Sequence, residues 1–296
     1  MLKKETILIV GDSSILGSYL YKNLDKTRYK LKTTTRNKNL ISNDVLYVDL
    51  SNTSSIEDIE LSDIDISILC SSVTNQKQCQ IDPEYSYKVN VIGTLLLIKK
   101  LVNNNIHVVF PSSSLVYDGS KPYQGLLDPK NPISKYASFK YEVEKEISKS
   151  YSENITIIRI SKIIHESYPL FLDWYAALVN NEDIFPFKDL LFSPVSISFV
   201  GEVIRRLIHD KPTGIFHLSS SNDISYLDAL TYLAIHSGFS LDKIYESYAK
   251  DHIEDIHLPK YTTLDCSGTL DLGFNIPKSE EALDYFIYNN NLPKKN

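Results

Sequence analysis

Tyr136 and Lys140 stand four residues apart in the run Asn131-Pro132-Ile133-Ser134-Lys135-Tyr136-Ala137-Ser138-Phe139-Lys140. Residues four apart share a face of a helix, so this spacing sets an ammonium beside a phenol. A positive neighbour lowers a tyrosine pKa from its free value of about 10, and a phenol tuned that way can exchange a proton with a substrate oxygen. The spacing by itself is unspecific in a chain with 20 tyrosines. Its meaning depends on what else the chain sets beside it.

Three other segments bear on that chemistry. Thr6-Ile7-Leu8-Ile9-Val10 is an apolar run of the kind buried on both faces in a parallel sheet, and it leads through Gly11-Asp12-Ser13-Ser14-Ile15-Leu16-Gly17 into the helical stretch Ser18 to Leu24. Strand, glycine turn and helix start make a pyrophosphate site from backbone N–H groups and the helix dipole. Gly11, Ser13, Ser14, Ile15, Leu16 and Gly17 are the expected contacts. Ser14 takes the place of the middle glycine of the usual three.

The second segment ends the next strand, Tyr29 to Thr35, which runs into Arg36-Asn37-Lys38. A site selective for NAD places an acidic residue there to bind the ribose 2′-hydroxyl. This chain has none, and Arg36 can pair with a 2′-phosphate, so the expected cofactor is NADP(H). The third segment is Pro111-Ser112-Ser113-Ser114-Leu115-Val116-Tyr117-Asp118-Gly119, directly after the apolar strand Ile106 to Phe110. Hydroxyls at the carboxyl end of a parallel strand lie where open α/β sheets bind ligands.

With a Ser-Tyr-Lys set in this order, the chain resembles the extended short-chain dehydrogenase/reductase superfamily. Within it the chain looks most like the dTDP-4-dehydrorhamnose reductase group of sugar-nucleotide reductases. The resemblance singles out Ser113, four residues before Tyr117, ahead of Ser112 and Ser114. It implies that Asp49 and Leu50 contact the adenine, that Cys70, Ser71 and Ser72 pass under the cofactor, and that the helix residue Asn90 ties the central strands together. Thr74, Ser114, Leu115 and Asp189 are the substrate contacts it suggests, Asp189 from the stretch Phe187 to Val195. No metal is implied.

Members that dehydrate nucleotide sugars carry Asp-Glu where this chain has Ser114 and Leu115, and members that epimerise before reducing carry a Cys at Leu115. Simple reduction is what these departures leave. The resemblance therefore implies NADPH-dependent reduction of a keto group, at carbon 4, of a nucleotide-activated 6-deoxyhexose. Tyr136 would donate the proton, Ser113 would hold the oxygen, and Lys140 would lower the phenol pKa while binding the nicotinamide ribose. The alternatives are a nucleotide-sugar 4-epimerase and a non-catalytic, dinucleotide-bound regulatory subunit. The intact Ser-Tyr-Lys set weighs against the latter.

The elements that must position these residues alternate as βαβ units up to about Arg159, the pattern of a doubly wound parallel sheet, or Rossmann fold. The expected division is a dinucleotide domain over residues 1–160, revisited at 196–218, and a smaller α/β substrate lobe over 161–195 and 219–296. A chain of 296 residues can bury a core of that size. The net charge of −6 argues against a nucleic-acid partner. Cys70, Cys79 and Cys266 form no C-x-x-C pair, as in a reduced cytoplasmic protein. The start Met1-Leu2-Lys3-Lys4 is followed by too short an apolar run for a signal sequence, and no stretch is long enough to span a membrane. A homodimer is a further expectation. Asp251-His252-Ile253-Glu254-Asp255-Ile256-His257 gathers metal-ligand residue types without the H-E-x-x-H spacing and reads as a solvated segment. Phe171, Trp174 and Tyr175, at helical spacing, read as core.

Overall fold

The structure is a computed structural model, and it describes residues 4–251 and 259–291. The chain forms two compact units. Met1–Val116, Lys130–Arg159 and Gly201–Phe216 make the first, and Tyr117–Pro129, Ile160–Val200 and His217–Asn296 make the second.

The first unit is built on a seven-stranded parallel sheet. Its strands are β1 (Glu5–Val10), β2 (Tyr29–Thr35), β3 (Val45–Tyr47), β4 (Ile66–Leu69), β5 (His107–Ser113), β6 (Ile155–Ile160) and the last strand Gly214–Leu218. The spatial order is the last strand, then β6, β5, β4, β1, β2 and β3, so the order reverses between β1 and β4. In a doubly wound sheet, ligands bind at that reversal, outside the carboxyl ends of the strands. Register places Val10 opposite Leu69, so the loops after these two strands open side by side.

Ile7, Leu8, Ile9 and Val10 are all buried, as an apolar strand covered on both faces requires. The helices of this unit are α1 (Ile15–Asn23), α2 (Thr53–Glu57), α3 (Gln76–Ile81), α4 (Pro83–Tyr87), α5 (Thr94–Asn103), α6 (Lys135–Ser150) and, from Gly201 on, the greater part of helix Ile197–Asp210. A π-helical turn, Lys88–Gly93, joins α4 to α5. Its last residue must be small, because a Cβ at Gly93 would sit 2.0 Å from the Leu50 carbonyl oxygen. The loop after β3 and the π-helical turn before α5 are thereby packed backbone to backbone.

The second unit holds two small sheets. Lys162–Ile164 pairs in parallel with Pro194–Ser196, and Leu191–Phe192 pairs antiparallel with Ile224–Ser225. Helices Pro169–Val179, Tyr226–His236 and Ser279–Asn289 enclose a core in which Phe171 stacks on Trp174 at 5.3 Å. Phe171 and Trp174 are buried in that core and Tyr175 packs against it, the role their spacing suggested.

Residues 117–129 join this second unit, an excursion that the sequence does not announce. They are tied in by a Gln124–Leu264 bridge and by the Tyr117 hydroxyl, which lies 3.1 Å from His217 Nε2. Residues 252–257 of the His- and acid-rich segment lie outside the described residues. Among those described, no His, Cys, Asp and Glu cluster could hold a metal, and no helix is long and apolar enough to cross a membrane.

Candidate active site

A cleft of about 370 Å³ opens at the reversal of strand order. Gly11, Ser13 and Ser14 line it from the loop after β1, Asp49 and Leu50 from that after β3, and Ser71, Ser72 and Thr74 from that after β4. Arg36 lines it from the end of β2, exposed and with no carboxylate partner among the described residues.

The turn after β1 is fixed by one side chain. Ser14 is the N-cap of α1: its hydroxyl donates to the Gly11 carbonyl at 2.7 Å and accepts from the Gly17 N–H at 3.0 Å. Ser14 therefore closes the turn rather than loosening it. The N–H groups of Ile15 and Leu16 have no acceptor within the helix, and the positive end of the dipole lies with them. Gly11 adopts φ +89°, and a Cβ there would come within 2.8 Å of Ser71. A Cβ at Gly17 would lie 2.2 Å from the Gly11 carbonyl oxygen, so both glycines are sterically required.

Asn90, 2 % exposed, does not line the cleft. Its Oδ1 accepts from the Ser72 hydroxyl at 2.9 Å and the Val73 N–H at 2.8 Å, while Nδ2 donates to the Val73 carbonyl at 2.9 Å. Asn90 thus shapes the loop after β4 without facing the open space. Cys70, Ile15, Leu16 and Gly17 are likewise not among the lining residues. Burial pushes the Cys70 thiol up to about 12, partly offset by the Lys140 charge, so the thiol is neutral. Val48, Val73, Asn75, Gln78, Tyr85 and Val89 complete the lining and were missed in the sequence. Gln78 and Tyr85 sit on α3 and α4, and only the packing of those helices brings them there.

The Ser-Tyr-Lys set comes from β5 and α6, which pack together in the first unit. Ser134 caps α6, accepting from the Ala137 N–H at 3.2 Å, and so places Tyr136 in its first turn. Lys140 is buried and donates to the Pro111 carbonyl of β5 at 2.9 Å. Its nitrogen is 6.0 Å from the centre of the Tyr136 ring. The Ser113 hydroxyl accepts from the Leu115 N–H at 3.2 Å and has no acceptor of its own among the described residues. The Ser112 hydroxyl is engaged elsewhere, donating at 2.5 Å to Glu144, whose carboxylate pairs with Arg159 at 2.6 Å in full burial. Of the three serines, the hydrogen bonds remove Ser112 as a candidate.

One expectation needs correcting. The spacing suggested that Lys140 lowers the Tyr136 pKa, whereas burial, with Cys79 adding to it, raises that pKa well above the usual tyrosine value. Burial also pushes Lys140 down to about 8, against the opposing effects of Cys70 and Glu144. Tyr136 is therefore a neutral phenol, and the Lys140 ammonium is turned to a backbone carbonyl. Of the suggested substrate residues, Ser114 is buried and Leu115 half-buried at the end of β5. Asp189 belongs to the second unit, where it is exposed and accepts from the Ala249 N–H at 2.6 Å.

A family model described as the RmlD substrate binding domain matches residues 5–291. The chain belongs to that family. It is 27% identical over 237 residues to a dTDP-4-dehydrorhamnose reductase of Sinorhizobium fredii, covering 76% of this chain and 80% of that protein. It is also 27% identical over 172 residues to a "Putative UDP-glucose 4-epimerase" of Methanocaldococcus jannaschii. That second match spans 54% of this chain and 56% of the relative, just over half of each. The crystal structure of a dTDP-4-dehydrorhamnose reductase from Bacillus anthracis in complex with NADP superposes with a TM-score of 0.86. It is 20% identical and covers 97% of this chain and all of that one, a likeness that shows the shared fold.

Proposed function

We propose that this protein is an NADPH-dependent reductase acting on a keto group, at carbon 4, of a nucleotide-activated 6-deoxyhexose. The observation that carries the reading is that one unit presents a phosphate-binding turn at the strand reversal and, on β5 and α6, Ser113 and Tyr136 hydroxyls whose protons no described residue accepts, together with a buried Lys140.

The cleft fits a dinucleotide. Ile15 and Leu16, at the capped start of α1, carry N–H groups with no acceptor in that helix, and Arg36 has no carboxylate partner among the described residues that would compete with a phosphate. Bound there, NADPH would supply the hydride. The protein's own groups supply the rest. Tyr136 holds its proton because burial disfavours the phenolate, so it can deliver that proton to the substrate oxygen as charge builds on it. Ser113 has a hydroxyl proton to donate to the same oxygen. Lys140, on the turn below, sets a positive charge beside the phenol once Tyr136 has given up its proton. Ser114 and Leu115 provide neither acid nor base beside the carbonyl, which favours reduction over dehydration. Three free thiols agree with a reducing compartment.

The test is incubation with NADPH and a nucleotide 4-keto-6-deoxyhexose, following the loss of reduced-nicotinamide absorbance. Stoichiometric consumption is expected. Conversion of an intact nucleotide hexose to its keto product, without net NADPH use, would overturn the reading. The Methanocaldococcus match favours a second reading, a 4-epimerase using the same three residues. An epimerase should copurify with its dinucleotide, whereas a reductase must exchange it.

A further inference from the structure

The buried network of Ser112, Glu144 and Arg159 takes no part in the proposed chemistry, yet it is tied to the residues that do. Two consecutive residues of β5 bond to two residues one turn apart on α6. The Lys140 ammonium donates to the Pro111 carbonyl at 2.9 Å, and the Ser112 hydroxyl donates to the Glu144 carboxylate at 2.5 Å. One bond runs from helix to strand and the other from strand to helix. Arg159 adds a third element, because its Nη2 at 2.6 Å and its Nε at 3.1 Å both donate to the same carboxylate from β6.

Ligand binding asks different things of the two contacts. In the reductase reading Lys140 also meets the nicotinamide ribose, so its bond to Pro111 is shared with the cofactor. Glu144 is 2 % exposed and does not line the cleft, so a ligand there does not compete for its bond to β5. A helix held at one point can roll about it. Held at two points one turn, roughly 5.4 Å, apart, it cannot.

The same carboxylate acts on Lys140 through charge. The groups that face the ammonium are Cys70 just after β4, the Phe110 ring at 4.7 Å and the Pro111 carbonyl on β5, and Tyr136 and Glu144 on α6. Burial pushes Lys140 down to about 8, and Cys70 and Glu144 oppose it. Because the Cys70 thiol is neutral at that pH, the negative charge that opposes burial there is that of Glu144.

We propose that Glu144 is a positioning residue for the reaction: bonded to Ser112 and paired with Arg159, it locks α6 to β5 one turn beyond Lys140 and holds Tyr136 and Lys140 in register with Ser113. Only the kinetic consequence rests on the reductase reading above.

Four proteins test it: wild type; Ser112→Ala, which cuts the tie to β5 and keeps the ion pair; Glu144→Gln; and Glu144→Gln/Arg159→Gln, which removes both charges. With NADPH and a nucleotide 4-keto-6-deoxyhexose, Ser112→Ala should lower kcat on the order of tenfold with KM nearly unchanged, within the hundredfold that a misplacement of about 1 Å can cost. Lys140 is titrated separately in the cofactor-free protein by NMR of lysine Cε resonances, its signal assigned with Lys140→Arg. The midpoint, about 8 in wild type, should fall in both proteins lacking Glu144 and hold in Ser112→Ala, and the alkaline limb of kcat should move with it. A merely structural role would lower resistance to urea and leave the titration and kcat in place. Circular dichroism shows which variants fold. Should Glu144→Gln not fold, the double variant carries the titration, and Ser112→Ala, which keeps the buried pair, decides the kinetics in any case. Wild-type kcat in Ser112→Ala, or an unmoved Lys140 midpoint in a folded protein lacking Glu144, overturns the proposal. Absence of reduction by wild type would sink the reductase reading instead, and the Lys140 titration would still decide whether Glu144 acts on the lysine.

Discussion

Ser112 and Ser113 are neighbours on β5, and Lys140 and Glu144 are one turn apart on α6, yet the two pairs face different environments. Ser112, Glu144 and Arg159 close on one another in a dry, fully bonded network, with Arg159 and Glu144 each 2 % exposed. Ser113 and Tyr136 keep hydroxyl protons that nothing in the described protein accepts, and Lys140 donates to the Pro111 carbonyl with its ammonium over the Phe110 ring at 4.7 Å. The alternation of a strand and the turn of a helix thus separate a structural network from a reactive one within a few residues. The satisfied network fixes α6 against β5 and β6. The unsatisfied one is left free to meet a substrate oxygen.

The sharpest way to break this comparison is Tyr136→Phe, which removes the proton and keeps the ring. Turnover should fall by roughly 10² to 10⁴, the range for a positioned acid, with NADPH affinity nearly unchanged. If the Phe variant reduces substrate at close to the wild-type rate, the open set does not include the proton donor. Glu144→Gln probes the closed set instead. It leaves the Arg159 charge without its carboxylate, and breaking a buried pair costs about 3–5 kcal/mol, to be read as a loss of unfolding free energy in urea. A loss below about 1 kcal/mol would mean that the network is not what fixes α6.

The pH dependence separates the two sets further. Lys140 titrates near 8 in the folded protein, below its ordinary value, so the folded state sheds this proton before the unfolded chain does. Between about pH 8 and about 10.5 the unfolded state binds more protons at this group, and its contribution to stability rises with pH. Turnover should move the other way, declining as pH rises through about 8 and the ammonium beside Tyr136 is lost. Chemical unfolding and kcat, each followed from pH 7 to about 10 in wild type and Lys140→Met, should therefore show opposite slopes in wild type only. Parallel slopes would contradict the proposed use of the charge.

The smallest effect expected is at the rim of the cleft, where Arg36 is exposed. Arg36→Ala should weaken NADPH by about 1–3 kcal/mol and leave NADH nearly untouched. Fluorescence titration with the two dinucleotides reads this directly, and tighter binding of NADH by wild type would remove Arg36 from the site.

Much of the first unit was legible because its signals are local. An unbroken apolar run such as Ile7 to Val10 can satisfy itself only as a strand covered on both faces. The Gly11 to Gly17 turn needs residues without a Cβ at two places, and a four-residue spacing sets Tyr136 and Lys140 on one helix face whatever lies opposite. What lies opposite is not local. Which serine stays free was decided by Glu144 facing Ser112, a pairing across 32 positions of sequence. Gln78 and Tyr85 became cleft residues through helix packing, and Asn90 became a support because its amide found Ser72 and Val73. The pKa values depended most on tertiary structure. Spacing alone suggested a phenol lowered by its lysine, but desolvation scales with everything packed around a group: it raises Tyr136, with Cys79 adding to it, and at Lys140 it outweighs Cys70 and Glu144.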